Sequence, residues 1–181
     1  MDILKMISSQ LEDPRVLEQL SQKAGAKPDQ TKKLTQSAIP MLLSSLKENA
    51  STPEGAESLN RALEDHKNDN VGDIFGFLQN VDTGDGAKIL QHIFSGKSEE
   101  VQQNLASSTG LEKNQASNLL TQLAPLILGA LGNQKKEQGA QADVTGLLNS
   151  VIGSLGGTGQ GSQSPASGLL GSILGSFFKK K

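Results

Sequence analysis

Apolar residues recur along this chain at intervals of three and four, the spacing that lines one face of an α-helix. From Asp2 to Gln10, Ile3, Leu4 and Ile7 share a side. Asp13-Pro14 then reads as a helix cap and a first helical residue. Val16, Leu17 and Leu20 form that helix's stripe, and Gly25 is its left-handed stop. Pro28 opens a longer helix with a wide face of Leu34, Ala38, Ile39, Leu42, Leu43 and Leu46. Pro40 lies inside it, where it removes a hydrogen bond and costs about 3 kcal/mol. The run SAIPMLLSSL is too apolar for a loop, so the pattern predicts a kinked helix rather than a break. Thr52-Pro53 starts another helix, striped by Leu59, Ala62 and Leu63.

After a polar joint at Asn68–Gly72, Asp73 starts a short helix with Ile74, Phe75, Phe77 and Leu78. VDTGDG (81–86) reads as a turn-rich connector. Ala87–Phe94 returns to helix with Ile89, Leu90, Ile93 and Phe94 inward, and Gly96 closes it. Ser98 reads as the next cap, with Glu99 and Glu100 favoured by the helix dipole; Val101 and Leu105 follow, and Gly110 stops that helix. The pattern then predicts a helix from Glu112 to Leu131. Its second half, LLTQLAPLILGAL (119–131), is the longest strongly apolar run and carries no charge. A helix apolar nearly all round is buried. Each buried Leu or Ile contributes roughly 1.5–3 kcal/mol, so the run outweighs its own Pro125.

A shift of 85 positions lays the chain on itself without a gap. Val16 falls on Val101, Leu20 on Leu105, Gly25 on Gly110, Gln30 on Gln115, Leu34 on Leu119, Pro40 on Pro125 and Leu46 on Leu131. Stripe residues, helix stops and mid-helix prolines are what a duplicated supersecondary unit would share. The expected organisation is a duplicated helical domain over 1–156, with units of about 1–84 and 86–156. A flexible linker (157–164) and an apolar helix (165–181) follow. A shorter repeat, GLLNSVIGSLG against GLLGSILGSFF, relates 146–156 to 168–178. In the last helix Leu169, Leu170, Ile173, Leu174, Phe177 and Phe178 make one stripe, and Gly171 and Gly175 sit at a spacing that lets helices approach closely.

Composition narrows the class without naming a function. Hydrophobic residues are 35% of the 181 positions, charged residues 20%, and the net charge is -2. No strong field argues for nucleic acid. Five Phe with no Tyr or Trp, and few β-branched residues, favour helix over sheet. There is no Cys, hence no disulfide or thiolate chemistry. MDILKMISSQ lacks the pattern of a secretory signal, and no apolar run reaches the roughly 18 residues of a spanning helix. The expected setting is cytoplasmic and the expected class all-α, multihelical, with two related units around Pro-kinked central helices.

The stretch GAKILQHIFSGK (86–97), the Gly110 stop and LAPLILGAL (123–131) carry a resemblance. Over about residues 1–160 the chain resembles a family of bacterial proteins of unknown function related to the YidB-like proteins. That resemblance implies an all-α fold and brings no catalytic residues. Ser95 stands where the family motif has Gly.

Candidate chemistry is thin. His92 could serve as a ligand or base, but in ILQHIF it reads as a surface histidine; His66, in EDHK at a helix end, reads as solvated. Two His without Cys do not make a structural zinc site. In NVDTGDGAK (80–88) Gly84 replaces a calcium ligand. Gly96-Lys97-Ser98 matches the end of a phosphate loop, but Gln91 stands where its first Gly belongs. No catalytic, cofactor or metal residue is assigned. The expected function is a non-enzymatic interaction or scaffold protein, self-associating or binding a helical partner through the tail stripe. A peripheral membrane protein using the same helix is the alternative, and an enzyme with a site near His92 comes third.

Overall fold

The computed structural model describes residues 3–139 and 143–156. Those residues form nine helices and no strand. They are α1 (Ile3–Leu11), α2 (Pro14–Ala24), α3 (Pro28–Asn49), α4 (Pro53–His66), α5 (Ile74–Asn80), α6 (Thr83–Ile93), α7 (Ser98–Thr109), α8 (Lys113–Gln138) and α9 (Val144–Gly156). The all-α expectation holds. The linker and the tail helix expected over 157–181 lie outside the described residues.

Most of these helices begin as their sequences dictate. Asp13, Thr52, Asp73 and Asp82 each accept a hydrogen bond from a first-turn amide, occupying donors that the helix itself leaves unpaired. Ser98 does not take its expected cap role: it is the first helical residue, and Lys97 holds the cap position. Both α3 and α8 run unbroken through their prolines, Pro40 and Pro125.

Helix α8 is the axis of the molecule, because it packs against every one of the other eight described helices. From Leu119 to Leu131 every residue is buried. The matching stretch of α3, Leu34–Leu46, is less enclosed: Gln36 is exposed, and Ser37, Pro40, Ser44 and Ser45 are half-buried. α8 also continues beyond its expected end at Leu131, through the polar NQKKEQ, to Gln138. Packing explains the extension. Lys135 is only 6% exposed, and its ammonium donates to Asn60 Oδ1 and lies 3.2 Å from Glu64 Oε1, both on α4.

The expected connector at 81–86 is corrected too. Helix α6 already starts at Thr83. The Asp82 carboxylate accepts from the Gly84 and Asp85 amides at 2.8 and 3.1 Å, so both glycines enter the first turn. Gly86 is there because α6 meets α8 backbone to backbone: a Cβ at this position would overlap the Thr121 carbonyl.

The two halves share local geometry at positions 85 apart. Gly25 ends α2 at φ 68°, ψ 29°, and Gly110 ends α7 at φ 71°, ψ 24°. Gln30 Oε1 accepts from the Lys27 amide at the start of α3, and Gln115 Oε1 from the Glu112 amide at the start of α8. Each glutamine then crosses to the other half. Gln30 Nε2 donates to the Gly110 carbonyl, and Gln115 Nε2 donates to the Gly25 carbonyl. Larger contacts follow the same exchange: α4 packs on α8 while α9 packs on α3, and α2 packs on α8 while α7 packs on α3. Inside α2–α3, Ser21 Oγ donates to Thr31 Oγ1 at 2.8 Å; the positions 85 further on are Ala106 and Ala116, both buried. A polar pair in one half corresponds to an apolar pair 85 positions further on.

Candidate functional site

Helices α4 and α6 both lie on α8 and make little contact with each other. A trench is left between them, formed of two adjoining clefts. One, of about 600 Å³, has Leu46, Leu59, Ile89, Ile93 and Leu128 beneath it and Arg61, Lys88 and His92 among its walls. The other, of about 610 Å³, reaches Pro125 of α8 and is lined by Asp65, Asp69, Asp73, Asp82 and Asp85. Asp65, His66 and Asp85 border both. Pro125 and Leu128 of the buried central helix thus line the trench.

His66 is positioned between the clefts by its neighbours. Its Nδ1 lies 2.8 Å from Asp69 Oδ2 and its Nε2 lies 3.5 Å from Asp85 Oδ2. Asn133 of α8 donates to the Asp69 carbonyl at 3.0 Å, so the turn that carries this carboxylate is anchored to the central helix. The His66 side chain is 18% exposed, not solvated as its place in EDHK implied. The chain after α4 folds back over the imidazole, and the first turn of α6 faces it from the other side. Two of the acidic groups already have work within the fold, since Asp73 and Asp82 cap α5 and α6. Arg61, on the wall of the first cleft, pairs with the exposed Glu57 one turn earlier on α4.

At the other end of the trench, Asn49 Nδ2 donates to the His92 and Ile93 carbonyls at 3.0 and 2.6 Å, closing the last turn of α6. Ser95 Oγ donates to Asn49 Oδ1 at 3.0 Å. Ser95 is the single described non-glycine residue with positive φ, at 47°. It is also the position at which the sequence departs from an expected Gly. The His92 ring is exposed on the wall, as its sequence setting suggested.

On the far side of α4, Glu64 bonds Lys67 at 2.7 Å and Lys135 at 3.2 Å. The Lys67 hydrogen bond first, and the Lys135 hydrogen bond second, hold the Glu64 carboxyl below its ordinary range. This pair fixes α4 on α8 and lies away from the clefts.

Among the described residues no group of three His, Cys, Asp or Glu could hold a metal ion. Gly96 and Lys97 lie in the turn between α6 and α7 and Ser98 begins α7, so this segment is preceded by helix rather than strand. The six tail residues expected to form an interaction stripe, Leu169, Leu170, Ile173, Leu174, Phe177 and Phe178, lie outside the described residues. Reading the sequence missed the trench. His66 and Asp85 are 19 positions apart and meet only because two helices share α8 as a support; no local spacing signals that.

The model of a family described as bacterial protein of unknown function, DUF937, matches residues 5–134. The match takes in α2 to α7, nearly all of α1 and most of α8, and ends before α9. No curated protein and no solved structure matches the chain.

Proposed function

This chain belongs to the DUF937 family, bacterial proteins of unknown function, and from that premise we propose that it is a non-enzymatic interaction or scaffold protein working through helical surfaces. The observation that carries this reading is the α4–α6 trench. It has an apolar floor and polar walls, as binding clefts do, and two of its carboxylates, Asp73 and Asp82, serve as helix caps. The stripe from Leu169 to Phe178 supplies a second binding element on sequence grounds. No cofactor enters this reading, and its setting is cytoplasmic. Light scattering on the full chain and on a chain lacking residues 157–181 tests the tail's part. We expect the full chain to form a heavier assembly, or to retain a protein partner that the truncated chain loses. Identical mass and identical partner recovery would leave the tail with no part in the interaction.

Two finer readings belong with this one. Duplication of a unit of 85 residues is supported by the reciprocal Gln30–Gly110 and Gln115–Gly25 hydrogen bonds and by the exchanged helix packing. Kinship with the YidB-like proteins rests on GAKILQHIFSGK and LAPLILGAL alone. A membrane-surface role is the second functional reading, favoured by the three lysines that follow the tail stripe. No described helix is long and apolar enough to cross a membrane, so such a protein would lie on the bilayer through this segment. Flotation with anionic vesicles, with and without residues 165–181, separates the two; failure of the intact chain to float disposes of the membrane role.

A further inference from the structure

We propose that His66 is a pH-sensitive latch between α4 and α6, which divides the trench into two clefts when protonated and lets them join when neutral. The geometry makes the two states unequal. A neutral imidazole carries one N–H and one lone pair; an imidazolium carries two N–H groups. With Nδ1 at 2.8 Å from Asp69 Oδ2, the neutral ring places its proton there. Its Nε2 lone pair then faces the Asp85 carboxylate at 3.5 Å, and the two repel. Protonation turns that contact into a second charge-assisted hydrogen bond, and the ring ties both carboxylates at once.

The latch is placed where it has leverage. Among the described residues no other side-chain hydrogen bond or ion pair joins α4 to α6, and both helices otherwise pack chiefly on α8, with smaller contacts to α3. His66 and Asp85 border both clefts, so this contact is also the partition between them. Charged groups line the trench around the ring. From α4 itself Asp65 and Arg61 line the trench, and Asp69 follows in the turn. From the α5 side come Asp73 and Asp82, and from α6 come Asp85, Lys88 and His92; Glu54 stands at the far end. Around His66 these add up to five aspartates against Arg61 and Lys88. His92, the other histidine of the chain, lines one of the two clefts, so it is the control that matters.

The latch stands on this geometry; its consequence for binding rests on the reading of the trench as the interaction surface. The test therefore uses no ligand. The chain has no Cys, so spin labels on Ser58→Cys (α4) and Gln91→Cys (α6) report the spacing of the two helices without background. Histidine changes charge between pH 5 and 8. We expect the inter-label distance to be short and narrowly distributed at pH 5, and to lengthen by a few ångströms and broaden at pH 8. His66→Gln should abolish the pH response, and Asp85→Asn, a near-isosteric change on the opposite helix, should abolish it independently. His92→Gln should keep it. An unchanging distance in the otherwise native chain overturns the latch. So does a pH response that survives His66→Gln or Asp85→Asn, or one lost with His92→Gln.

Discussion

Gly84 and Gly86 sit two residues apart in the same helical turn, and the structure gives them opposite weight. A Cβ on Gly86 would meet the Thr121 backbone, which has nowhere to move; Gly86→Ala should cost about 1–3 kcal/mol, the range for overpacking, or more. A Cβ on Gly84 would come only to 3.1 Å from Asp82 Oδ1, which needs to give by a few tenths of an ångström and can keep its cap bonds. Gly84→Ala should fall within about 0.5 kcal/mol of the native chain. Chemical denaturation of the two variants decides it. Ser95 offers a second comparison. Ser95→Ala keeps the left-handed backbone and loses the bond to Asn49. Ser95→Gly loses the same bond and relieves the backbone. Ser95→Gly should therefore be the more stable variant by about 1–2 kcal/mol, the left-handed penalty of an L-residue. The departure from Gly at Ser95 was legible in the sequence; the purpose of Gly86 was not. Two glycines in VDTGDG have turn composition, and only the presence of α8 against that face shows why one of them must lack a side chain.

Helices announce themselves locally, which is why nearly all of them were legible. A cap such as Asp13 or Thr52 bonds an amide two or three residues on, so its signal and its effect lie within one turn. Where an element is stabilised from outside, the local signal fails. The last turns of α8 are polar and look like a loop, yet Lys135 is buried against Asn60 and Glu64 of α4. His66 looked solvated for the same reason. At this scale two outcomes are expected. Gln30→Ala and Gln115→Ala each remove one cap bond and one bond to the opposite half. Each should cost about 1–2 kcal/mol, by the usual worth of a hydrogen bond, and the two costs should agree closely if the halves are copies. A Gln115 cost several times larger than the Gln30 cost would argue against equivalence. Glu64 gives a pH dependence. Its carboxyl titrates below its ordinary value in the fold, because its charged form is bonded by Lys67 and Lys135. The unfolded chain therefore takes up this proton first as pH falls, so the contribution is present at neutral pH and lost through the acid range. Glu64→Gln should lower stability at pH 7 and flatten the acid limb of the stability profile. An acid limb unchanged by the substitution would place that dependence on other groups.

At the scale of the whole molecule, one helix holds everything. LLTQLAPLILGAL was legible as the centre because a segment apolar on all sides has no stable place except the interior. What surrounds it was not legible. The packing partners of α8 come from all along the described chain, and the trench between α4 and α6 exists only as a by-product of both resting on it. A helix so placed must be the last element to open. Native-state hydrogen exchange reads this directly, because amides that open only with global unfolding report the full stability of the fold. The amides of Leu119–Leu131 should exchange more slowly than any others, at the global unfolding free energy. Those of Leu34–Leu46, on the less enclosed α3, should exchange faster. Equal or greater protection of Leu34–Leu46, or sub-global opening of Leu119–Leu131, would contradict the central place of α8 in the fold.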